Sequence, residues 1–302
     1  MRSVQIGMGV VALLTSGVLN AAVYSVTEFN LWKGGTFADW ATSLTDPSLG
    51  LNDQFDNGDP LVGPFYTGLT TAANYLPRNF QAGLGLTESG GVLQMDTDFA
   101  LPSTGAGGAS GPAAGLRLLS NVDSSQTNAS GGILGLHKSA SFAVAAAFEL
   151  QIPPLTGQYG IRLFDSFSDG TEDNQNDYLD FRVVSTNQGP VVWLRHQDFE
   201  QGIAPVLAAH SLAAPAGATQ IYLTLAHQQA NSGLIDAYYG YRDASGALIG
   251  APVYLASKSI FHGEDFTRVE LRAIAPVPEP LSGVMMLAGL GVLAAMGRRA
   301  RA

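Results

Sequence analysis

The chain has 302 residues, a net charge of −10 and no cysteine, which excludes disulfides, thiol catalysis and Cys-ligated zinc. The acidic balance argues against a nucleic-acid partner, whose phosphates require clustered Lys and Arg. Only 13% of residues are charged while 46% are hydrophobic, and the two ends of the chain account for part of that imbalance.

At the N-terminus, Arg2 is followed by a mostly apolar run from Val4 to Leu19 and then Asn20-Ala21-Ala22. This order of positive charge, apolar stretch and small residues is that of a secretory signal peptide over residues 1–22, cut by signal peptidase. Asn20 is an imperfect residue three positions before a cut at Ala22, so the position of cleavage stays open. The body of the protein is then residues 23–276. Without Arg2, Glu279, Arg298, Arg299 and Arg301 it keeps 11 basic and 24 acidic residues, net −13.

Along that body, helix is scarce. Thr36 is placed to cap a short one carrying Phe37, Trp40, Ala41 and Leu44 at helical spacing. The stretch Ser103–Gly115 is rich in Gly, Ala and Ser and reads as a loop, or as a boundary between two smaller domains.

Strands dominate the rest of the body. Ala140–Leu150 and Tyr159–Asp165 are expected strands, the latter with Ile161 and Leu163 facing inward. In Tyr178–Val184, Leu179, Phe181 and Val183 alternate with Tyr178, Asp180 and Arg182. In Val191–His196, Val192 and Leu194 alternate with Trp193 and Arg195. Ile221–His227 and Ile235–Arg242 continue the pattern, with Tyr222, Asp236, Tyr238 and Arg242 opposite the aliphatic positions. Turn signals such as Asn187-Gln188-Gly189-Pro190 and Ser245-Gly246 separate them. Regular short strands with such turns predict an all-β fold, an antiparallel β-sandwich or jelly roll.

The stretch Leu51–Pro60, with Asp53-Gln54-Phe55-Asp56, leads through Gly90-Gly91-Val92-Leu93 to these later strands. The order resembles the opening of concanavalin A-like lectin and glucanase jelly rolls, and Ile221–Arg242 is similar to their C-terminal strand pair. The resemblance spans roughly Leu51 to Ala273 and implies a lectin-like sandwich. The paired carboxylates of the glucanases, on a Glu-x-Asp-x-Glu strand, have no counterpart here. Asp177 and Asp180 approach it, but their spacing puts them on opposite faces of a strand.

No two of the five histidines lie closer than fourteen residues, and no His-Glu-x-x-His, Gly-x-Ser-x-Gly or phosphate loop occurs. No catalytic residue is assigned, and the expectation is a noncatalytic protein. Only a site assembled from distant residues escapes this search. Two binding chemistries stay open. Asp165, Asp169, Asp173 and Asp177 crowd one connection between strands and would suit Ca²⁺ through oxygen ligands, or simply form a solvated acidic turn. Arg162, Asp180, Arg182, Trp193, Arg195, Tyr222, Tyr238 and Arg242 fall opposite the aliphatic positions and would form one polar sheet face. Such a face suits an extracellular polysaccharide, acidic above all, through aromatic stacking and charge-assisted hydrogen bonds. Cross-strand ion pairs on a solvated sheet would use the same residues.

At the C-terminus, Pro278-Glu279-Pro280 precedes Leu281–Gly297, seventeen residues without a charge, and then Arg298, Arg299 and Arg301. The apolar run is just long enough to span a membrane, with the arginines left on the cytoplasmic side. The three parts resemble the PEP-CTERM sorting domain over residues 277–302. That resemblance implies an exosortase-type membrane protease as partner and a Gram-negative, exopolysaccharide-producing cell. It also implies transient anchoring in the inner membrane and a final place at the surface or in the extracellular matrix. A divergent glycan hydrolase and a purely structural or adhesive surface protein are the competing functions.

Overall fold

The computed structural model describes residues 22–35, 50–60, 76–78, 84–101, 113–119, 136, 138–165, 177–198, 202–260 and 266–275, all within one compact unit, Ala21–Val277. The expected leader up to Ala21, the short helix after Thr36 and the C-terminal sorting segment lie outside these residues. Among the described residues no helix is long and apolar enough to cross a membrane.

The protein is all-β. In chain order the strands are β1 (Val23–Lys33), β2 (Gly50–Asp53), β3 (Leu76–Arg78), β4 (Leu86–Ser89), β5 (Val92–Asp96) and β6 (Ala113–Leu119). There follow β7 (Phe142–Glu149), β8 (Gln158–Asp165), β9 (Tyr178–Thr186), β10 (Gly189–Gln197) and β11 (Val206–Ser211). The last are β12 (Gln220–His227), β13 (Leu234–Arg242), β14 (Leu248–Ser259) and β15 (Phe266–Ile274). One sheet runs β14-β13-β12-β7-β1-β5-β4, with β2 also paired to β1; the other runs β11-β10-β9-β8-β15-β6-β3. Among these strands the first and last, β1 and β15, sit inside the two sheets, paired with β5 and β7 and with β6 and β8.

The alternation read from sequence holds. Ile161, Leu163, Leu179, Phe181, Val183, Val192, Leu194, Ile221, Leu223, Leu225, Ile235 and Ala237 are all fully buried in one core. Each Val, Leu, Ile or Phe side chain so taken from water stabilises the fold by about 1.5–3 kcal/mol before chain entropy is counted. Strand β1 is harder to read because its inward residues are Tyr24, Val26, Phe29 and Leu31, a pattern that breaks strict alternation. A bulge between Val26 and Glu28 absorbs the extra residue and turns Glu28 to the outer face.

One expectation is corrected, and one alternative, a solvated outer face, does not hold. Ser103–Gly115 is not wholly loop, since Ala113, Ala114 and Gly115 open strand β6; small residues are tolerated there because the strand is tightly paired with β15. The faces opposite the core are not simply solvated. In the first sheet Trp32 packs with Ala143, Ala145 and Ala226, with Tyr238 against them. The alanines of β7 supply a flat floor on which the indole lies, so β7 is buried on both sides. At the start of the body, the N–H of buried Ala22 donates to Thr97 Oγ1 at 2.9 Å. Its carbonyl accepts from the Thr97 hydroxyl at 2.8 Å and from the Thr97 N–H at 3.0 Å. Ala22, one residue before Val23, is thus hydrogen-bonded to Thr97 through both its backbone groups.

Tyr222 shows how close packing on an outer face depends on a glycine. Its cross-strand partner is Gly240, and a methyl group there would meet Tyr222 Oη at 2.5 Å and its ring at 2.6 Å. Gly240→Ala is expected to displace the ring and lower the urea midpoint by an amount equivalent to about 1–3 kcal/mol; an unchanged midpoint would show that Tyr222 is free to swing aside.

Candidate functional site

The second sheet carries its polar residues in two cross-strand rows on the outer face. One row runs Arg195, Asp180, Arg162, Glu270, and its neighbour runs Trp193, Arg182, Gly160, Arg272, Gly115. Charges alternate along the first row, which is the arrangement that cross-strand pairing favours. In the second row the glycines leave space for the long side chains. A methyl group at Gly115 would come within 3.3 Å of Arg272 Cδ.

Asp180 is the hub. Its carboxylate accepts from Arg162 Nε at 2.5 Å and from Arg162 Nη2 at 2.9 Å, and it is paired with Arg182. Arg182 Nη1 donates to Gln158 Oε1 at 2.8 Å, and Arg272 Nη1 to Glu270 Oε2 at 3.0 Å. The Arg162 guanidinium also lies 3.7 Å from the centre of the Tyr178 ring, a cation–π contact. Burial by itself would raise the Asp180 carboxyl, but the two guanidiniums outweigh it and hold it well below the usual carboxylate range. The Arg272 guanidinium is lowered to about 10, first by burial and then by repulsion from Arg162. A carboxyl held ionised in this way cannot act as a general acid near neutral pH.

The eight residues expected to form one face do not share one. Arg162, Asp180, Arg182, Trp193 and Arg195 lie on the outer face of the second sheet, whereas Tyr222, Tyr238 and Arg242 belong to the first. Period-2 alternation tells which side of its own strand a residue takes, but not which sheet the strand joins. Nor is the face open throughout: Asp180, Arg182 and Arg162 are 0%, 1% and 8% exposed. Trp193 and Arg195 are half-buried, and Arg195 Nε donates to the carbonyl of Ala204 at 3.0 Å.

On the first sheet, Arg242 reaches Glu28 across two intervening strands. Its guanidinium passes 5.6 Å from the centre of the Tyr222 ring, and burial pushes the Tyr222 hydroxyl up to about 12. Glu28 also accepts from Asn30 and Asn52, both at 2.7 Å. Tyr238 accepts from Gln228 at 2.9 Å and meets the edge of Tyr254 at 5.5 Å. Tyr222 Oη and Arg242 Nε are themselves buried and meet no hydrogen-bond partner among the described residues.

Three donors on the second sheet stand out. Arg182 Nε, Arg272 Nε and Trp193 Nε1 are buried and, among the described residues, meet no acceptor. All three belong to the same cross-strand row. The described part of this face also holds three buried guanidiniums, of Arg162, Arg182 and Arg272, against two buried carboxylates, of Asp180 and Glu270. Surplus donors and surplus positive charge suit an oxygen-rich anionic ligand.

Of the four residues expected to hold Ca²⁺, Asp169 and Asp173 lie outside the described residues, and Asp165 ends strand β8. Asp177 is buried and offers a ligand atom within 4.8 Å of ones from His196 and Asp198. Sequence reading missed that pairing because the residues lie far apart in the chain. The signal available was that His196 and Asp198 continue the inward alternation of β10.

No family model matches the sequence, and no curated protein matches it either. Among solved structures the chain is similar to a winged bean acidic lectin complexed with methyl-α-D-galactose. The two align at 11% sequence identity and a TM-score of 0.23, covering 54% of this chain and 78% of the lectin chain.

Proposed function

We propose that this chain is an exported, surface-sorted, noncatalytic β-sandwich protein that binds an acidic polysaccharide of the extracellular matrix. The observation that carries the reading is the row Trp193, Arg182, Arg272, whose Nε1 and two Nε donors meet no acceptor among the described residues and whose Trp193 end is partly exposed. Carboxylate and hydroxyl oxygens of a uronic-acid chain would bring acceptors and negative charge to that end of the row. The ligand approaches at the β10 end, where Trp193 and Arg195 are partly exposed, and the indole would stack on a sugar ring. Export and sorting rest on the residue 1–22 leader and on the resemblance of residues 277–302 to a PEP-CTERM tail, with signal peptidase and an exosortase-type protease as processing partners.

The test is a glycan array probed with the purified protein, comparing polyuronates with neutral glycans. Binding to polyuronates that weakens with added salt is expected. Trp193→Ala should reduce it at least about tenfold, a loss of ~1.4 kcal/mol. Silence on every acidic glycan would remove the reading in favour of a structural or adhesive role. Release of new reducing ends from the polysaccharide would instead make the protein a hydrolase.

A further inference from the structure

The inner face of the second sheet ends in an arrangement that a hydrophobic core does not call for. Strands β9 and β10 oppose Phe181 with Leu194 and Leu179 with His196. Continuing both alternations by one step brings Asp177 and Asp198 to the same side. Where the pattern would place apolar residues, three titratable ones are buried, with Asp177, His196 and Asp198 at 1%, 4% and 7% exposure. One ligand atom from each lies within 4.8 Å of the other two.

His196 Nε2 is the decisive atom. It is buried and among the described residues makes no hydrogen bond, yet it stands 3.3 Å from Asp177 Oδ2. A charge-assisted hydrogen bond would close to ~2.7–2.9 Å. Two ligands at ~2.0–2.1 Å from a tetrahedral ion are instead separated by ~3.3–3.4 Å. The surrounding backbone holds the cluster in place: the His196 N–H donates to the carbonyl of Pro205 at 3.2 Å, and Asp198 and Ile203 exchange N–H donors at 2.9 and 3.1 Å.

We infer that Asp177, His196 and Asp198 form a binding site for a divalent transition-metal cation, Zn²⁺ or Mn²⁺. One imidazole nitrogen with two carboxylates suits these ions, whereas Ca²⁺ takes six to eight oxygens. The ion pins the start of β9 to the end of β10. The site lies on the opposite face of the sheet from the donor row, so it stands or falls separately from polysaccharide binding.

The experiment uses the untagged protein stripped with EDTA, dialysed against Zn²⁺, Mn²⁺ or Ca²⁺, and analysed for retained metal and melting temperature. About one equivalent of Zn²⁺ or Mn²⁺ with a raised Tm is expected. In His196→Ala and Asp198→Asn the affinity should fall by more than the roughly 10–100-fold that loss of a merely supporting residue costs. Failure to retain either transition metal, a response to Ca²⁺ alone, or retention unchanged in both variants would overturn the inference. Should a variant fail to fold, the Co²⁺-loaded wild-type protein decides: visible ligand-field absorption displaced by Zn²⁺ supports the site, and its absence refutes it.

Discussion

Asp180→Ala is expected to destabilise the protein by about 3–5 kcal/mol, because it leaves two buried guanidiniums, Arg162 and Arg182, without their shared counter-ion. Equilibrium urea unfolding followed by tryptophan fluorescence measures the loss. A small change would mean that water or other groups solvate the two arginines. The combined variant Arg162→Met, Asp180→Leu, Arg182→Met separates charge from packing. Exchanging a buried ionic group for apolar side chains of similar volume is often neutral, so this variant should recover most of the loss.

The same residue sets a pH dependence. Asp180 has a folded-state pKa held below its unfolded value, which is about 3.9. Its contribution is therefore complete above about pH 4 and is lost as pH falls through the depressed folded value. The wild-type protein should lose stability over that acid limb, and Asp180→Ala should show a flatter one.

Glu28→Ala is expected to cost a similar ~3–5 kcal/mol, through loss of a buried acceptor that serves Arg242, Asn30 and Asn52 together. These donors come from β13, β1 and β2, so one carboxylate links strands that are not all neighbours. Arg242 Nε already lacks an acceptor, and removal of Glu28 would leave the whole guanidinium buried without its charge partner among the described residues. Glu28→Gln keeps an acceptor oxygen for the asparagines and should fall between wild type and Glu28→Ala. Equal losses in both variants would show that the charge on Glu28, rather than its acceptor oxygens, accounts for the whole effect.

Much of the fold is legible from residue order. Where strands alternate regularly, as in β9, β10, β12 and β13, the inward residues expected from sequence are those that fill the core. Legibility fails where a strand departs from strict alternation. β1 carries its bulge near Thr27, and β14 is an edge strand with two register shifts against β13 and little full burial. The candidate site is legible only in part. Arg162, Asp180, Arg182, Trp193 and Arg195 are expected on one face and do share it. Glu270 and Arg272, which complete that face, escape the sequence pattern because β15 lies about ninety residues further along the chain.

Charge, thiol content and period-2 patterning are local properties of the chain, and from them alone the body is acidic, cysteine-free and built of alternating strands. The chain's two apolar ends likewise set the expectation of export and sorting. Folding is what gathers these few charges into buried ionic networks, seen among the described residues on the outer face of each sheet. It alone separated Tyr222, Tyr238 and Arg242 from the arginine row, and brought His196 and Asp198 to Asp177. The physical reason is that antiparallel pairing over long sequence separations chooses which side chains meet. The desolvation that turns such a meeting into a site depends on what lies on both sides of the sheet.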